Sequence, residues 1–283
     1  MPGIAIVTDS TCDLGPKALE ERGVAMVPLK VHFGDETFRD WIDLTPDDFY
    51  PRLRASANLP TTSQPTPGEF AQVYQRLADE GAEGIVSIHL SAKLSGTFES
   101  ATMAAATAPV PVRVVDTTFV AGALIFPIDA ACKVRDEGGL LDAVERAAID
   151  TAAKTELFFV LDTLDYLVKG GRAGRTQGMA ASLLNIKPVL EVTGGVIEPF
   201  KKAKGTNKAL REMAEHVAAR SRKLGPLKIV VINAVAENLA DELGNAIRSA
   251  GTDIVDISVD EIGSVIGTHV GPRAVAVAYA PAK

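Results

Sequence analysis

The sequence is poor in aromatic residues and in cysteine, and each shortage limits what the protein can be. Aromatic residues make up 5% of the 283 residues, so a large core has to be built from aliphatic side chains. The two cysteines, Cys12 and Cys132, lie far apart and outside any cluster with metal-ligand spacing. We therefore predict no metal centre, and we interpret both thiols as small core residues of a reduced, cytoplasmic protein.

Positive charge, long apolar runs and catalytic motifs are also lacking. The formal net charge of −7 argues against non-specific binding to nucleic acid. No apolar run reaches about 18 residues, which argues against a transmembrane helix, and residues 1–9 read as a strand rather than a signal peptide. Nucleophile-elbow, phosphate-loop, zinc-protease and dinucleotide-binding motifs are all missing, so we predict no cofactor.

What the sequence does contain is a repeated alternation of short apolar strands and helices. The predicted strands of the first half cover residues 4–8, 24–32, 81–90 and 112–116. After about residue 154 the pattern changes, and Gly194-Gly195 between two apolar runs indicates a β-hairpin. We predict an N-terminal Rossmann-like α/β domain with a mainly parallel sheet over residues 1–154, and a C-terminal α+β domain with a mixed sheet over residues 155–283.

Two hydroxyl-rich segments lie in the first half, over residues 60–65 and 91–97. We interpret both as loops that lead into helices, and the second follows a predicted strand. Free backbone N–H groups at the first turn of a helix favour an anion, and Ser and Thr add neutral donors. The sequence therefore predicts a site that holds a phosphate or a carboxylate through hydroxyls and backbone.

Histidine and lysine supply two further candidates. His269 lies in a glycine-rich stretch, residues 263–272, just before the last predicted strand. It is either a loop histidine with satisfied hydrogen bonds or a donor aimed at an anion. Lys201, Lys202 and Lys204 follow the hairpin, and their residue type alone indicates a solvated sheet edge.

Several motifs together resemble the DegV family in order and spacing, over essentially the full length. They are Thr8-Asp9-Ser10-Thr11-Cys12-Asp13-Leu14, Pro60-Thr61-Thr62-Ser63-Gln64-Pro65, Leu94-Ser95-Gly96-Thr97-Phe98-Glu99-Ser100-Ala101, Val115-Asp116, Gly170-Gly171-Arg172, Lys187-Pro188-Val189-Leu190 and Ile266-Gly267-Thr268-His269-Val270-Gly271-Pro272. That family is known as bacterial fatty-acid-binding proteins, which serve as the lipid-carrying subunit of a two-component fatty-acid kinase. The resemblance implies an acyl chain in a tunnel between the two domains.

The resemblance also implies which residues hold the fatty-acid carboxylate. They are Thr62, Ser63 and Ser95, with the Gly96 N–H nearby, His269 close to the head group and Lys204 as the basic residue after the hairpin. The family commonly has arginine at the position of Lys204 and glycine at that of Arg273. Both departures bear on which acyl chain the protein prefers and on whether it can serve a kinase partner.

By this resemblance the chain is a carrier without chemistry of its own. Its partners are a long-chain fatty acid, the catalytic subunit of the kinase and, transiently, an acyltransferase or a membrane surface, but not nucleic acid. Two alternatives from other classes remain. One is a serine-type or phosphate-ester hydrolase that uses Ser95 with His269. The other is a sensor module for a small anion, which needs no long apolar tunnel.

Overall fold

The computed structural model describes residues 3–176, 178 and 187–282. In chain order the strands of this part are β1 (Ile4–Asp9), β2 (Val24–Val27), β3 (Lys30–Phe33), β4 (Glu36–Arg39), β5 (Thr61–Ser63), β6 (Gly84–His89), β7 (Val112–Asp116), β8 (Glu156–Val160), β9 (Lys187–Thr193), β10 (Val196–Ala203), β11 (Leu227–Asn233), β12 (Ile254–Glu261) and β13 (Val275–Pro281). The helices are α1 (Pro16–Glu21), α2 (Pro46–Ala55), α3 (Pro67–Asp79), α4 (Thr97–Ala105), α5 (Ile125–Asp136), α6 (Leu141–Ala152), α7 (Asp165–Lys169), α8 (Thr206–Leu224), α9 (Glu237–Ser249) and α10 (Ser264–Val270). Short 3-10 helices at Ser10–Cys12 and Ala121–Leu124 precede α1 and α5.

A four-stranded parallel sheet forms the core of the N-terminal half, in the order β2-β1-β6-β7. Helix α3, through Phe70 and Tyr74, and helix α4, through Ala101 and Ala104, pack on one face, and α5 and α6 cover the other. Both faces are therefore buried, as the fully buried strand β6 shows. The predicted α/β class with a mainly parallel sheet is confirmed.

A six-stranded mixed sheet, in the order β10-β9-β8-β13-β11-β12, forms the C-terminal half. Strands β11 and β12 are parallel, and the other neighbouring strands are antiparallel. Helices α8 and α9 cover one face. The other face meets the 3-10 helix Ala121–Leu124, where a Cβ on Gly122 would lie 2.9 Å from Ile232 Cδ1. One continuous core thus joins both large sheets, and a boundary at residue 154 stays a prediction.

The single strand predicted over residues 24–32 was wrong. The segment forms two strands, β2 in the parallel sheet and β3 in a separate antiparallel sheet of order β4-β3-β5. Pro28 stands between them and has no N–H to donate to a strand ladder, so the chain leaves the first sheet there. Part of the predicted loop over residues 60–65 is also a strand, because Thr61–Ser63 pairs with β3.

Helix α10 corrects a second expectation, because His269 lies in its last turn rather than in a loop. Between β7 and α6 the chain forms the 3-10 helix Ala121–Leu124 and then α5. Cys12 and Cys132 are free and buried, as expected for core thiols. Among the helices the structure describes, none combines the length and the apolarity needed to cross a membrane.

Candidate functional site

A narrow cavity lies where elements of all three sheets and α10 meet. Its wall is mostly aliphatic, formed by Leu29, Leu90, Leu94, Val120, Leu167, Ile197, Val265, Ile266 and Val270. The polar lining residues are Thr62, Ser63, Gln64, Ser95, Arg172 and His269. The space measures about 630 Å³, counted with the solvent at its opening. An aliphatic wall with a few convergent polar groups is typical of a small-molecule site.

Thr62 and His269 meet at this polar end from opposite ends of the chain. The hydroxyl of Thr62, on β5, lies 2.8 Å from His269 Nε2 on α10. The other ring nitrogen, Nδ1, is buried and has no hydrogen-bond partner among the described residues. A Cβ on Gly170 would lie 2.3 Å from this nitrogen, so the glycine is what lets the ring fit there.

These contacts determine the protonation of His269. Burial, with a smaller contribution from the positive charge of Arg172, lowers the pKa of His269 to about 4. The ring is therefore neutral at pH 7. A buried nitrogen lone pair without a partner is tolerated better than a buried N–H without one, so we place the proton on Nε2. His269 then donates to Thr62, and the Thr62 hydroxyl keeps its own proton for the cavity.

Ser63 and Ser95 are each backed by a second side chain. Ser63 Oγ lies 2.8 Å from His32 Nε2, and the other nitrogen of that ring lies 2.9 Å from Thr37 Oγ1. Ser95 Oγ lies 2.9 Å from Thr97 Oγ1. The hydroxyls that line the cavity are thus held in defined positions.

Gly96, the N-cap of α4, allows another side chain to come close. A Cβ at this position would lie 2.5 Å from Gln64 Nε2 and 2.7 Å from its Oε1. The glycine therefore lets the amide of Gln64 lie against the loop that carries Ser95. This contact links the two hydroxyl-rich segments of the sequence.

Arg172 places the positive charge of the site. Its Nε donates to the carbonyl of Leu94 at 3.2 Å, and Nη1 donates to the carbonyl of Gly170 at 2.7 Å. Arg172 also lines the cavity, and no acidic side chain is among the described residues that line it. With His269 neutral, the polar end carries a net positive charge and suits an anion.

Helix α10 is positioned by two buried carboxyl groups of the N-terminal half. Asp13 accepts a hydrogen bond from the Gly263 N–H at 2.9 Å, and Asp40 accepts from the N–H and the hydroxyl of Ser264 at 3.0 and 2.6 Å. Tyr50 donates to the carbonyl of Ile262 at 3.0 Å. Desolvation raises the pKa of Asp13 well above its usual range and that of Asp40 to about 6. These contacts fix the helix that carries His269.

A buried chain of polar groups fixes the other wall. Asp9 accepts from the Leu90 N–H at 3.1 Å and lies 2.9 Å from His89 Nδ1, and His89 Nε2 lies 2.6 Å from Ser87 Oγ. The three side chains form an Asp-His-Ser string. All of them are fully buried, so this string orders the start of the loop at residues 91–97 rather than meeting a substrate.

The turn of the β9–β10 hairpin is joined to the same loop. Ser91 Oγ donates to the carbonyl of Gly195 at 2.8 Å, and Lys93 Nζ donates to the carbonyl of Gly194 at 2.8 Å. A more open hollow adjoins the cavity here and shares Ser95 and Arg172 with it. The polar end and the hollow therefore lie next to each other beside the hairpin.

Most of the predicted site residues come together. Thr62, Ser63, Ser95 and His269 line the cavity, and Gly96 lines the adjoining hollow. Lys204 is exposed just after β10 and lines neither space. The roles of these residues in binding a ligand stay predictions.

The alternative of a Ser95–His269 pair gains no support from the geometry. The Ser95 hydroxyl is hydrogen-bonded to Thr97, and the His269 ring is hydrogen-bonded to Thr62 rather than to Ser95. The sequence reasoning also missed Arg172 and Gln64 as lining residues, although both lie inside the motifs that carried the resemblance. In the part of the chain that the structure describes, no cluster of His, Cys, Asp or Glu is arranged to hold a metal ion.

Fold and site together define an α/β protein with a partly enclosed cavity, aliphatic along its wall and hydrogen-bond-donating at one end. A model described as an uncharacterised protein family, DegV, matches residues 3–282. The chain belongs to the DegV family.

Relatives and solved structures resemble the chain along its whole length. A DegV domain-containing protein of Streptomyces coelicolor is 42% identical over 269 residues, which is 95% of each chain. A protein of Thermotoga maritima named as a fatty acid-binding protein is 32% identical and covers 96% of each chain. The structure of a DegV family protein from Thermus thermophilus, described for its fatty acid binding, has a TM-score of 0.93 at 34% identity and covers 99% of each chain.

Proposed function

We propose that this protein binds a long-chain fatty acid, with the carboxylate at the polar end of the cavity and the acyl chain along the aliphatic wall. The observation that carries the proposal is the arrangement of Thr62, Ser95 and Arg172, which direct donors to one end of an otherwise apolar space. The related proteins of Thermotoga maritima and Thermus thermophilus, described as binding fatty acid, support the same ligand class.

The acyl chain would supply most of the affinity. Burial of each CH₂ is worth about 0.8 kcal/mol, so a sixteen-carbon chain gives roughly 10 kcal/mol before the costs of ordering the ligand. The hydroxyls of Thr62 and Ser95 and the positive charge of Arg172 would orient the carboxylate. They would contribute less to the affinity than the acyl chain does.

We further propose that the protein performs no chemistry itself. It would present the carboxylate to the catalytic subunit of a separate kinase, where a carboxylate oxygen attacks the γ-phosphorus of ATP and ADP leaves. The hollow beside Ser95 and Arg172 supports this proposal, because it lies open to solvent next to the polar end. The acyl phosphate would then pass to an acyltransferase or to the membrane surface. Since ATP is the phosphoryl donor, we place this exchange in the cytoplasm.

The binding proposal is tested by titration with saturated fatty acids of eight to sixteen carbons. We expect affinity to rise by up to about fourfold per CH₂ until the chain fills the cavity. Ser95→Ala should weaken carboxylate binding by roughly tenfold and leave the unfolding midpoint near that of the parent protein. The exposed Ser249 provides a matched control, since Ser249→Ala removes the same hydroxyl far from the cavity.

Other results would count against the proposal. Affinity that does not depend on chain length would favour a sensor for a small anion. With a competent kinase and ATP, acyl-phosphate formation that is as fast for Ser95→Ala as for Ser249→Ala would contradict the proposed placement of the carboxylate.

A further inference from the structure

Thr97 lies directly behind Ser95, at the first turn of α4. Its side chain is fully buried and does not line the cavity. Its Oγ1 lies 2.9 Å from Ser95 Oγ, which is the partner that the described residues provide for it. Each hydroxyl carries one proton, so only one of the two can donate in this bond.

Burial decides the direction of this hydrogen bond. If Ser95 donated, the proton of Thr97 would be buried without an acceptor among the described residues, and such a donor is costly. If Thr97 donates, the proton of Ser95 faces the cavity, where a ligand or water can accept it. Thr97 is therefore the donor, and Ser95 is left as a donor toward the cavity.

The same arrangement occurs at Thr62, where His269 is the buried donor and the cavity-facing hydroxyl keeps its proton. Arg172 adds N–H donors and has no acceptor. These three groups therefore point protons at the ligand, although each hydroxyl oxygen keeps one further acceptor site. An ionised carboxylate offers several acceptor sites and a charge opposite to that of Arg172, whereas an alcohol or an amide offers fewer acceptor sites and no charge.

We propose that Thr97 is a positioning residue that fixes Ser95 as a donor, so that the polar end selects an ionised carboxylate over an alcohol or an amide of equal chain length. This inference rests on the proposed function. It adds the ionisation state of the bound ligand, and it adds Thr97 as a residue that acts on the ligand only through Ser95.

The test is a set of equilibrium titrations with dodecanoate and 1-dodecanol, which share one chain length. Thr97→Val keeps the shape of the side chain and removes the hydroxyl. We expect it to weaken dodecanoate binding by roughly 3- to 10-fold and to change dodecanol binding by less than about twofold. Thr97→Ser should restore dodecanoate binding. Thr102→Val, an exposed site on the same helix, is the matched control.

A double variant separates an effect through Ser95 from a structural effect. In the Ser95→Ala background, Thr97→Val should cause no further loss of dodecanoate affinity. Equal losses for the acid and the alcohol, additive losses in the double variant, or no effect of Thr97→Val would each overturn the inference.

The parent protein supplies a measurement that does not depend on the folding of any variant. It should bind dodecanoate at least about tenfold more tightly than dodecanamide, and equal affinities would overturn the inference. A parent protein that binds none of these dodecyl compounds would refute the proposed function itself, and this inference with it.

Discussion

Gly170 offers a way to disturb the polar end of the cavity without changing any residue that lines it. It ends α7 at an ordinary backbone angle, φ −75°, so alanine fits the backbone. The added Cβ would lie 2.3 Å from His269 Nδ1 and 2.9 Å from the backbone carbonyl of Tyr166. Unstrained contacts need about 3.5 Å, so the ring has to move by roughly 1 Å. That movement breaks the bond to Thr62.

The expected cost follows from the burial of the ring. Forcing extra volume into a packed interior costs about 1–3 kcal/mol, which corresponds to a fall of roughly 2–12 °C in the melting temperature of a chain of this size. Loss of the ordered Thr62 donor should weaken fatty-acid binding by roughly 3- to 10-fold.

Urea unfolding and a fatty-acid titration measure the two effects of Gly170→Ala. Gly68→Ala is the control, because a Cβ on Gly68, in the first turn of α3, would meet only Thr66 Oγ1 at 3.9 Å. Stability and affinity equal to those of the control would refute the assigned position of the His269 ring.

Two further predictions concern charge. Because burial raises the pKa of Asp40 to about 6, its contribution to stability is fully present below pH 3.8 and is lost as the pH rises through 6. Asp40→Asn should therefore flatten the fall in the free energy of unfolding between pH 4.5 and 6, which has a slope of up to about 1.4 kcal/mol per pH unit for one group. Urea unfolding at each pH measures this free energy, and parallel curves for the two proteins would contradict the prediction. Arg172→Gln should weaken the binding of dodecanoate by roughly tenfold or more, whereas Lys204→Gln should change it by less than about twofold. A titration that gave the opposite ranking would show that Lys204, and not Arg172, is the cation that pairs with the carboxylate.

Local patterns in the sequence predicted the layers of the fold, and long-range contacts explain where they failed. Apolar strands alternating with capped helices predicted the parallel sheet, and Gly194-Gly195 predicted the hairpin. Pro28 could have divided the strand predicted over residues 24–32, since proline rarely continues a central strand. In contrast, the loop position expected for His269 was wrong, because α10 continues to Val270 although it is rich in residues with poor helix propensity. Asp13 and Asp40, from more than 220 positions away, hold this helix.

The sequence predicted the hydroxyl groups of the site but not the arginine that supplies its positive charge. Thr62 stood out because it is one of three consecutive hydroxyl residues, and Ser95 because it lies in a hydroxyl-rich segment between a predicted strand and a helix. Arg172 entered the sequence analysis only as part of the Gly170-Gly171-Arg172 motif, because nothing local shows that its guanidinium donates to the carbonyl of Leu94, 78 positions earlier. The pairing of Thr62 with His269 spans 207 positions and follows from the fold alone.

The measurement that tests the central claim most directly is the identity of the small molecule that the protein carries. The protein would be purified from a bacterial host, its native intact mass compared with its denatured mass, and the released molecules identified by mass spectrometry. We predict one equivalent of a fatty acid of 14 to 18 carbons, which is lost in a Thr62→Ala/Ser95→Ala double variant. A protein that is empty and that also takes up no added fatty acid would contradict the account.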